Sequence, residues 1–219
     1  MLFKTRKDMQ IFYEAAGTKL DQEYGRIKAN IVFGAKKRHS QVFSVLSQNK
    51  YEGKTTLISY LGISFSKEEK RVLLIDGNFD SPRLHKIFGI ENDEGFSNLL
   101  ADGGVLQDAV IKSEFPGLSI LPSGTISKQL ESVIQTNAMD DILYQAKRMY
   151  DYVFIDTGSL QTNVTAKLLA AKSDSSLVVV RRMKTSTHDL HELKTSLESY
   201  EIHVTGALFN TRKLAWLKR

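Results

Sequence analysis

Cysteine is absent from the 219 residues, which excludes a disulfide scaffold, thiolate zinc sites and cysteine nucleophiles. Proline occurs three times, at Pro82, Pro116 and Pro122, so no Pro-rich linker divides the chain. No apolar run approaches the roughly 18 residues of a membrane-spanning helix. The opening stretch, MLFKTRKDMQIFYEAAG, meets an acid at Asp8 before any apolar signal core forms, so it does not read as a secretory signal. Internal repeats and low-complexity tracts are missing too. These absences leave a cytoplasmic chain as the expectation. At about 150 residues per domain its length suits one domain with an arm, and 42% hydrophobic with 25% charged residues suits a sizeable core.

The formal charge of +5 is unevenly spread. Residues 1–50 hold ten Lys/Arg against four Asp/Glu, the last nine hold four Lys/Arg and no acid, and residues 51–210 carry −5. Basic ends of this kind read first as solvated termini, with an anionic membrane surface as the competing use. No helix-turn-helix, aromatic RNA-binding signature or zinc finger accompanies them, so nucleic acid is not an expected partner. The organisation predicted is a basic arm over 1–19 and a single domain over 20–219, opened by a helix over 20–33.

Six short apolar runs read as strands: Val42–Ser47, Val72–Asp76, Leu118–Leu121, Tyr152–Asp156, Ser176–Arg181 and Val204–Asn210. Most lack alternation, as strands covered on both faces of a parallel sheet do. Helical spacing lies between them, with Leu57, Leu61 and Phe65 on one stripe and Leu190, Leu193 and Leu197 on another. Leu20, Tyr24, Ile27 and Ile31 form a third, ahead of the first strand. The alternation predicts an α/β fold, a mostly parallel sheet flanked by helices on both faces.

The chemistry concentrates in VFSVLSQNKYEGKTTL, residues 42–57. An apolar strand enters a loop, then Gly53-Lys54-Thr55-Thr56, then an apolar helix, which is the setting of a phosphate-binding P-loop. Backbone N–H groups over Lys50, Tyr51, Glu52, Gly53, Lys54, Thr55 and Thr56 would wrap phosphates, with Lys54 on the β/γ oxygens and the Thr55 hydroxyl on Mg²⁺. The full glycine pattern fails at Gln48. Asp76 and Asp156 each end a buried apolar run, and ligands of open α/β sheets bind outside those carboxyl ends. Thr55, Asp76 and Asp156 are thus the expected metal set. His188 and His191 lie i, i+3 without a third ligand and read as surface residues, His85 as structural, and Lys36-Lys37-Arg38 as a solvated loop.

These blocks, with RVLLIDGNFDSPRLHKIFG at 71–89, GFSNLLADGGVLQDAV at 95–110, LSILPSG at 118–124, YDYVFIDTG at 150–158, LAAKSDSSLVVVR at 169–181 and TGALFN at 205–210, resemble the bacterial tyrosine kinases of capsule and exopolysaccharide assembly. The resemblance spans roughly residues 20–210 and implies ATP/ADP and Mg²⁺ as cofactors, with transfer of the γ-phosphoryl group to protein tyrosines. Lys54, Asp76, Asn78 and Asp156 fall at the catalytic positions. It also implies a transmembrane activator that modulates polysaccharide chain length, and through it a place at the inner face of the cell membrane.

Four departures from the family pattern stand out. Lys50-Tyr51-Glu52 replaces Pro-Gly-Glu, and a tyrosine there resists positive φ. Asn49 holds the place of the signature lysine of related partition ATPases. Asn78 stands where a second acid would accept the tyrosine proton, and Asp80 where an Arg is usual. Gln22, Gly25 and Lys28 replace the Glu and two Args of the oligomerisation helix, so the homo-oligomer is expected to be weak or absent. The last tyrosine, Tyr200, sits in a predicted helix instead of a tyrosine-rich tail. Three readings remain open: a tyrosine kinase, a pseudokinase that regulates export through nucleotide or partner binding, and a partition-type positioning ATPase.

Overall fold

In the computed structural model, which describes residues 19–125 and 130–211, all six apolar runs are strands within a residue of the expected ends. Residues 1–18 of the expected arm and the residues after 211 lie outside the described residues. In chain order the elements are α1 (Lys19–Arg38), β1 (Val42–Leu46), α2 (Lys54–Ser66), β2 (Val72–Gly77), α3 (Leu84–Phe88), α4 (Phe96–Asp102), α5 (Leu106–Ala109) and β3 (Ile111–Lys112). There follow β4 (Leu118–Leu121), α6 (Leu130–Ile134), α7 (Asn137–Met149), β5 (Tyr152–Thr157), α8 (Val164–Lys172), β6 (Ser175–Arg181), α9 (Thr187–Ser199) and β7 (Val204–Asn210). One sheet of seven strands runs β3-β4-β2-β5-β1-β6-β7, parallel throughout except for β3.

The non-alternating runs are explained by apolar layers on both faces. Phe43, Val45, Leu74 and Phe154 face one layer with Ile31, Leu57, Leu61 and Phe65 from α1 and α2. Val42, Leu73, Ile75, Val153 and Ile155 face the other, with Phe96, Ile142, Ala146 and Leu169 from α4, α7 and α8. A third cluster joins Leu46, Ala166, Val178 and Leu193. Tyr24, Ile27 and Ile31 pack as their spacing predicts; the side chain of Leu20 lies outside the described residues.

Two readings are corrected. The first helix continues past 33 to Arg38, so Lys36-Lys37-Arg38 is its last turn and not a loop. Cations there offset the negative end of the helix dipole. The two-residue β3 pairs antiparallel on the sheet edge, too short to leave a periodic signal.

Gly62 sets how closely α2 lies on the sheet. A Cβ at that position would stand 2.9 Å from Leu74 Cδ2 and 3.1 Å from Leu118 Cδ1. Gly62→Val is therefore expected to overpack this contact and lower unfolding stability by about 1–3 kcal/mol, read as a lower urea midpoint with an unchanged slope.

Candidate active site

The carboxyl ends of β1, β2 and β5 carry the site. Asp76 and Asp156 are register partners on adjacent parallel strands, about 4.8 Å apart along the hydrogen-bonding direction. Their side chains leave the sheet on the face that carries α2, because Leu74 and Phe154, two residues earlier, pack on that face. Both aspartates are fully buried. Asp76 accepts backbone N–H bonds from Arg83 at 2.8 Å, Leu84 at 2.9 Å and Asn78 at 3.3 Å. It thereby ties down the loop that follows β2. Asp156 accepts the Thr55 hydroxyl through Oδ2 at 2.6 Å, while its Oδ1 is buried without a hydrogen-bond partner.

Burial raises both carboxyls, Asp76 to about 7 and Asp156 to about 6, and the Asp156 charge raises Asp76 further. Lys54, the Thr55 hydrogen bond and the charge of exposed Arg83 oppose the rise at Asp156. Lys54 is buried, and desolvation lowers its ammonium below the usual lysine value against the pull of Asp156 and Glu52. Its Nζ donates to Ser47 Oγ at 2.7 Å. The site therefore gathers a cation, two buried carboxyls and a hydroxyl in one place. An orphaned carboxylate oxygen beside a threonine hydroxyl fits a hard divalent cation, which prefers oxygen ligands; Asp156, Thr55 and Asp76 are the residues that would hold it.

The loop before Lys54 is held from outside by groups of other elements. Gly53 caps α2 at φ 110°, and a Cβ there would meet Asn210 Nδ2 at 2.7 Å. Tyr51 takes φ 62° despite its side chain. The residue is 66% exposed, so its side chain lies on the outside of the loop. Three successive carbonyls are gripped from the ends of β6 and β7: Lys184 Nζ donates to Lys50, Arg181 Nη1 to Tyr51 at 2.6 Å and Asn210 Nδ2 to Glu52 at 2.9 Å. The Glu52 carboxylate turns inward and accepts from the Thr185 hydroxyl at 2.5 Å.

The structure thus brings Lys54, Thr55, Asp76 and Asp156 together and puts Asn78 beside Asp76 through its backbone. The Lys50 and Thr56 side chains face solvent. Sequence reasoning assigned no role to Ser47, Arg83, Arg181, Lys184, Thr185 or Asn210. Asn210 left one signal, a polar residue closing an apolar strand; the others act through tertiary contacts that no local pattern marks. His188 pairs with Glu192 one turn on, at 3.4 Å, and Glu192 accepts from Gln48 at 2.8 Å, so this part of α9 braces the start of the loop.

Known proteins resemble this chain in sequence and fold. Residues 40–208 match the AAA domain family. The tyrosine-protein kinase YwqD of Bacillus subtilis is 29% identical over 194 residues, covering 89% of this chain and 82% of the relative. The crystal structure of the chimerical protein CapA2B2 superposes with a TM-score of 0.85 at 25% identity, covering 93% of this chain and 90% of that one. The septum site-determining protein MinD of Pyrococcus horikoshii, complexed with Mg-ADP, shares the fold at a TM-score of 0.62 and 20% identity, over 77% of this chain and 69% of that one.

Both carboxyls ionise near 4 in an unfolded chain and only near 6 to 7 when folded. Below about pH 4 they are neutral in both states and the penalty is absent; as pH climbs to about 7 the unfolded state gains. Asp156→Asn keeps an oxygen for Thr55 and removes one buried charge. Its melting temperature is expected to exceed the parent's at pH 8 by a margin that shrinks toward pH 4.5, read from nucleotide-free melts. These residues and this sheet place the chain in the AAA domain family, among relatives that include bacterial tyrosine-protein kinases.

Proposed function

We propose that the protein is a MgATP-dependent protein-tyrosine kinase that regulates capsular or exopolysaccharide synthesis and export. The observation that carries the reading is the meeting of Lys54 and Thr55 with the buried pair Asp76 and Asp156 at the carboxyl ends of three strands, on a fold shared with CapA2B2. The P-loop amides from Lys50 to Thr56 bind the phosphates. Lys54, released from Ser47, would neutralise the β/γ oxygens, and Thr55, Asp76 and Asp156 would hold the magnesium. When bound, that ion supplies charge neutralisation for a loose phosphoryl-transfer transition state. Burial strengthens each of these interactions and excludes water from the transfer.

Asn78 cannot accept a proton as a carboxylate does. A positioned base contributes about 10²–10⁴-fold, so transfer is slow while nucleotide binding is intact. This supports a second reading, a pseudokinase that regulates by binding alone. A positioning ATPase is less well supported: Asn49 occupies the signature-lysine position, and the fold superposes better on CapA2B2 than on MinD.

The partner proposed is a transmembrane activator whose cytoplasmic tail docks on the kinase and holds it at the inner face of the membrane. Among the described residues no helix is long and apolar enough to cross a membrane. Self-assembly is proposed to be weak. Lys28, where the family's second Arg belongs, is turned onto its own chain. It bonds Ser64 O at 3.1 Å, pairs with Glu68 at 2.5 Å and lies 4.8 Å over the Phe65 ring.

Calorimetry is expected to show MgADP binding that Lys54→Ala abolishes; no binding by either protein refutes the reading. With a partner's cytoplasmic tail present, γ-phosphate transfer to a Glu/Tyr copolymer is expected to be slow. Asn78→Asp is expected to raise the transfer rate by about 10²-fold. No transfer by either protein, with MgADP bound normally, leaves the pseudokinase.

A further inference from the structure

The peptide planes of the P-loop are fixed from outside the loop. The C=O of one residue and the N–H of the next lie in one plane and point opposite ways, so a group that holds a carbonyl also aims the following amide. Lys184 holds the Lys50 carbonyl and Arg181 the Tyr51 carbonyl. The amides they aim belong to Tyr51 and Glu52.

Both cations stand on a braced turn. The N–H groups of Lys184 and Thr185 return to the Arg181 carbonyl at 3.1 and 3.0 Å. The Arg181 N–H donates to Thr185 Oγ1 at 2.9 Å, and that hydroxyl in turn donates to Glu52 at 2.5 Å. Lys184 also lies 5.2 Å over the Tyr51 ring. The contacts this turn makes with the loop fall on Lys50, Tyr51 and Glu52, and Tyr51 holds a left-handed φ of 62° that a bulky side chain resists. A glycine would take that conformation unaided.

We propose that Arg181 and Lys184 are positioning residues for phosphate binding. By holding the carbonyls of Tyr51 and Lys50 they keep Tyr51 in its left-handed conformation and turn the amides of Tyr51 and Glu52 toward the phosphates. The clamp replaces the conformational freedom lost when tyrosine occupies a glycine position. It rests on the nucleotide-binding reading above.

The test is MgADP calorimetry on the full chain, with melting temperatures recorded in parallel. The Arg181→Ala, Lys184→Ala double variant is expected to bind at least about tenfold more weakly, the worth of one charge-assisted hydrogen bond. Adding Tyr51→Gly is expected to restore most of that loss, because glycine needs no clamp. A role confined to holding the turn together, or to placing positive charge near the phosphates, would give the same loss whether or not Tyr51→Gly is present. That equality overturns the inference, as does a double variant that binds like the parent. The single Lys184→Met variant, at an exposed position, is read against Tyr51→Gly in the same way. A parent that binds no MgADP removes the nucleotide reading and the clamp with it; a parent that binds, with variants that bind equally, removes the clamp alone.

Discussion

Two carboxylates buried side by side at the ends of β2 and β5 are the constraint around which the rest of the structure is arranged. Asp76 and Asp156 face each other in register, where like charges and lost hydration both oppose ionisation. The surroundings answer with partial compensation. Three backbone amides converge on Asp76, and Thr55, Lys54 and Arg83 favour the charged form of Asp156. One oxygen of Asp156 is still without a partner. A fold selected only for stability would not keep this arrangement, since unpaired buried charge is among the more costly features a protein can carry. Its persistence makes sense if a cation completes the set during function, which ties stability to ligand state.

The loop in front of Lys54 shows how an unfavourable local sequence can be carried by tertiary contacts. Tyr51 and the non-glycine at Gln48 break the pattern that normally gives a P-loop its conformational freedom. The loop nevertheless holds positive φ at both Tyr51 and Gly53, because groups from β6, β7 and α9 grip it along its outer side. These elements are remote in sequence, yet β1 and β6 are neighbours in the sheet. A crossover from β5 over β1 to β6 is what brings the end of β6 beside the P-loop. Topology thus supplies a support that composition lacks.

The same contrast explains what could be read in advance. The inner strands were legible because they are apolar on both faces, and a residue such as Leu73 or Leu74 has no solvent-facing alternative; β7, at the sheet edge with Phe209 exposed, was legible from its apolar run alone. The convergence of Lys54, Thr55, Asp76 and Asp156 was legible because each lies at, or in the turn just beyond, the carboxyl end of such a run. The short β3 was not, since two residues carry no period. Arg181, Lys184 and Thr185 were hidden for another reason: their contacts reach across more than a hundred residues of chain, and nothing in R-R-M-K-T marks a partner. The resistance expected of Tyr51 was a sound local argument overruled by contacts outside its window.

Binding and transfer need not have decayed together in such a site. On the proposed reading, phosphate capture would depend on Lys54 and on amides whose direction the loop's frame would set. On the same reading, proton removal from an incoming tyrosine would depend on one further group, and the family resemblance puts Asn78, which has no carboxylate, at that position. In a loose transition state the attacking hydroxyl loses its proton late, so a missing base slows the reaction less than a missing cation would. The electrostatic terms, which dominate such reactions, are therefore the ones this sequence has kept, and the term it has altered is one a phosphoryl transferase can survive at reduced rate.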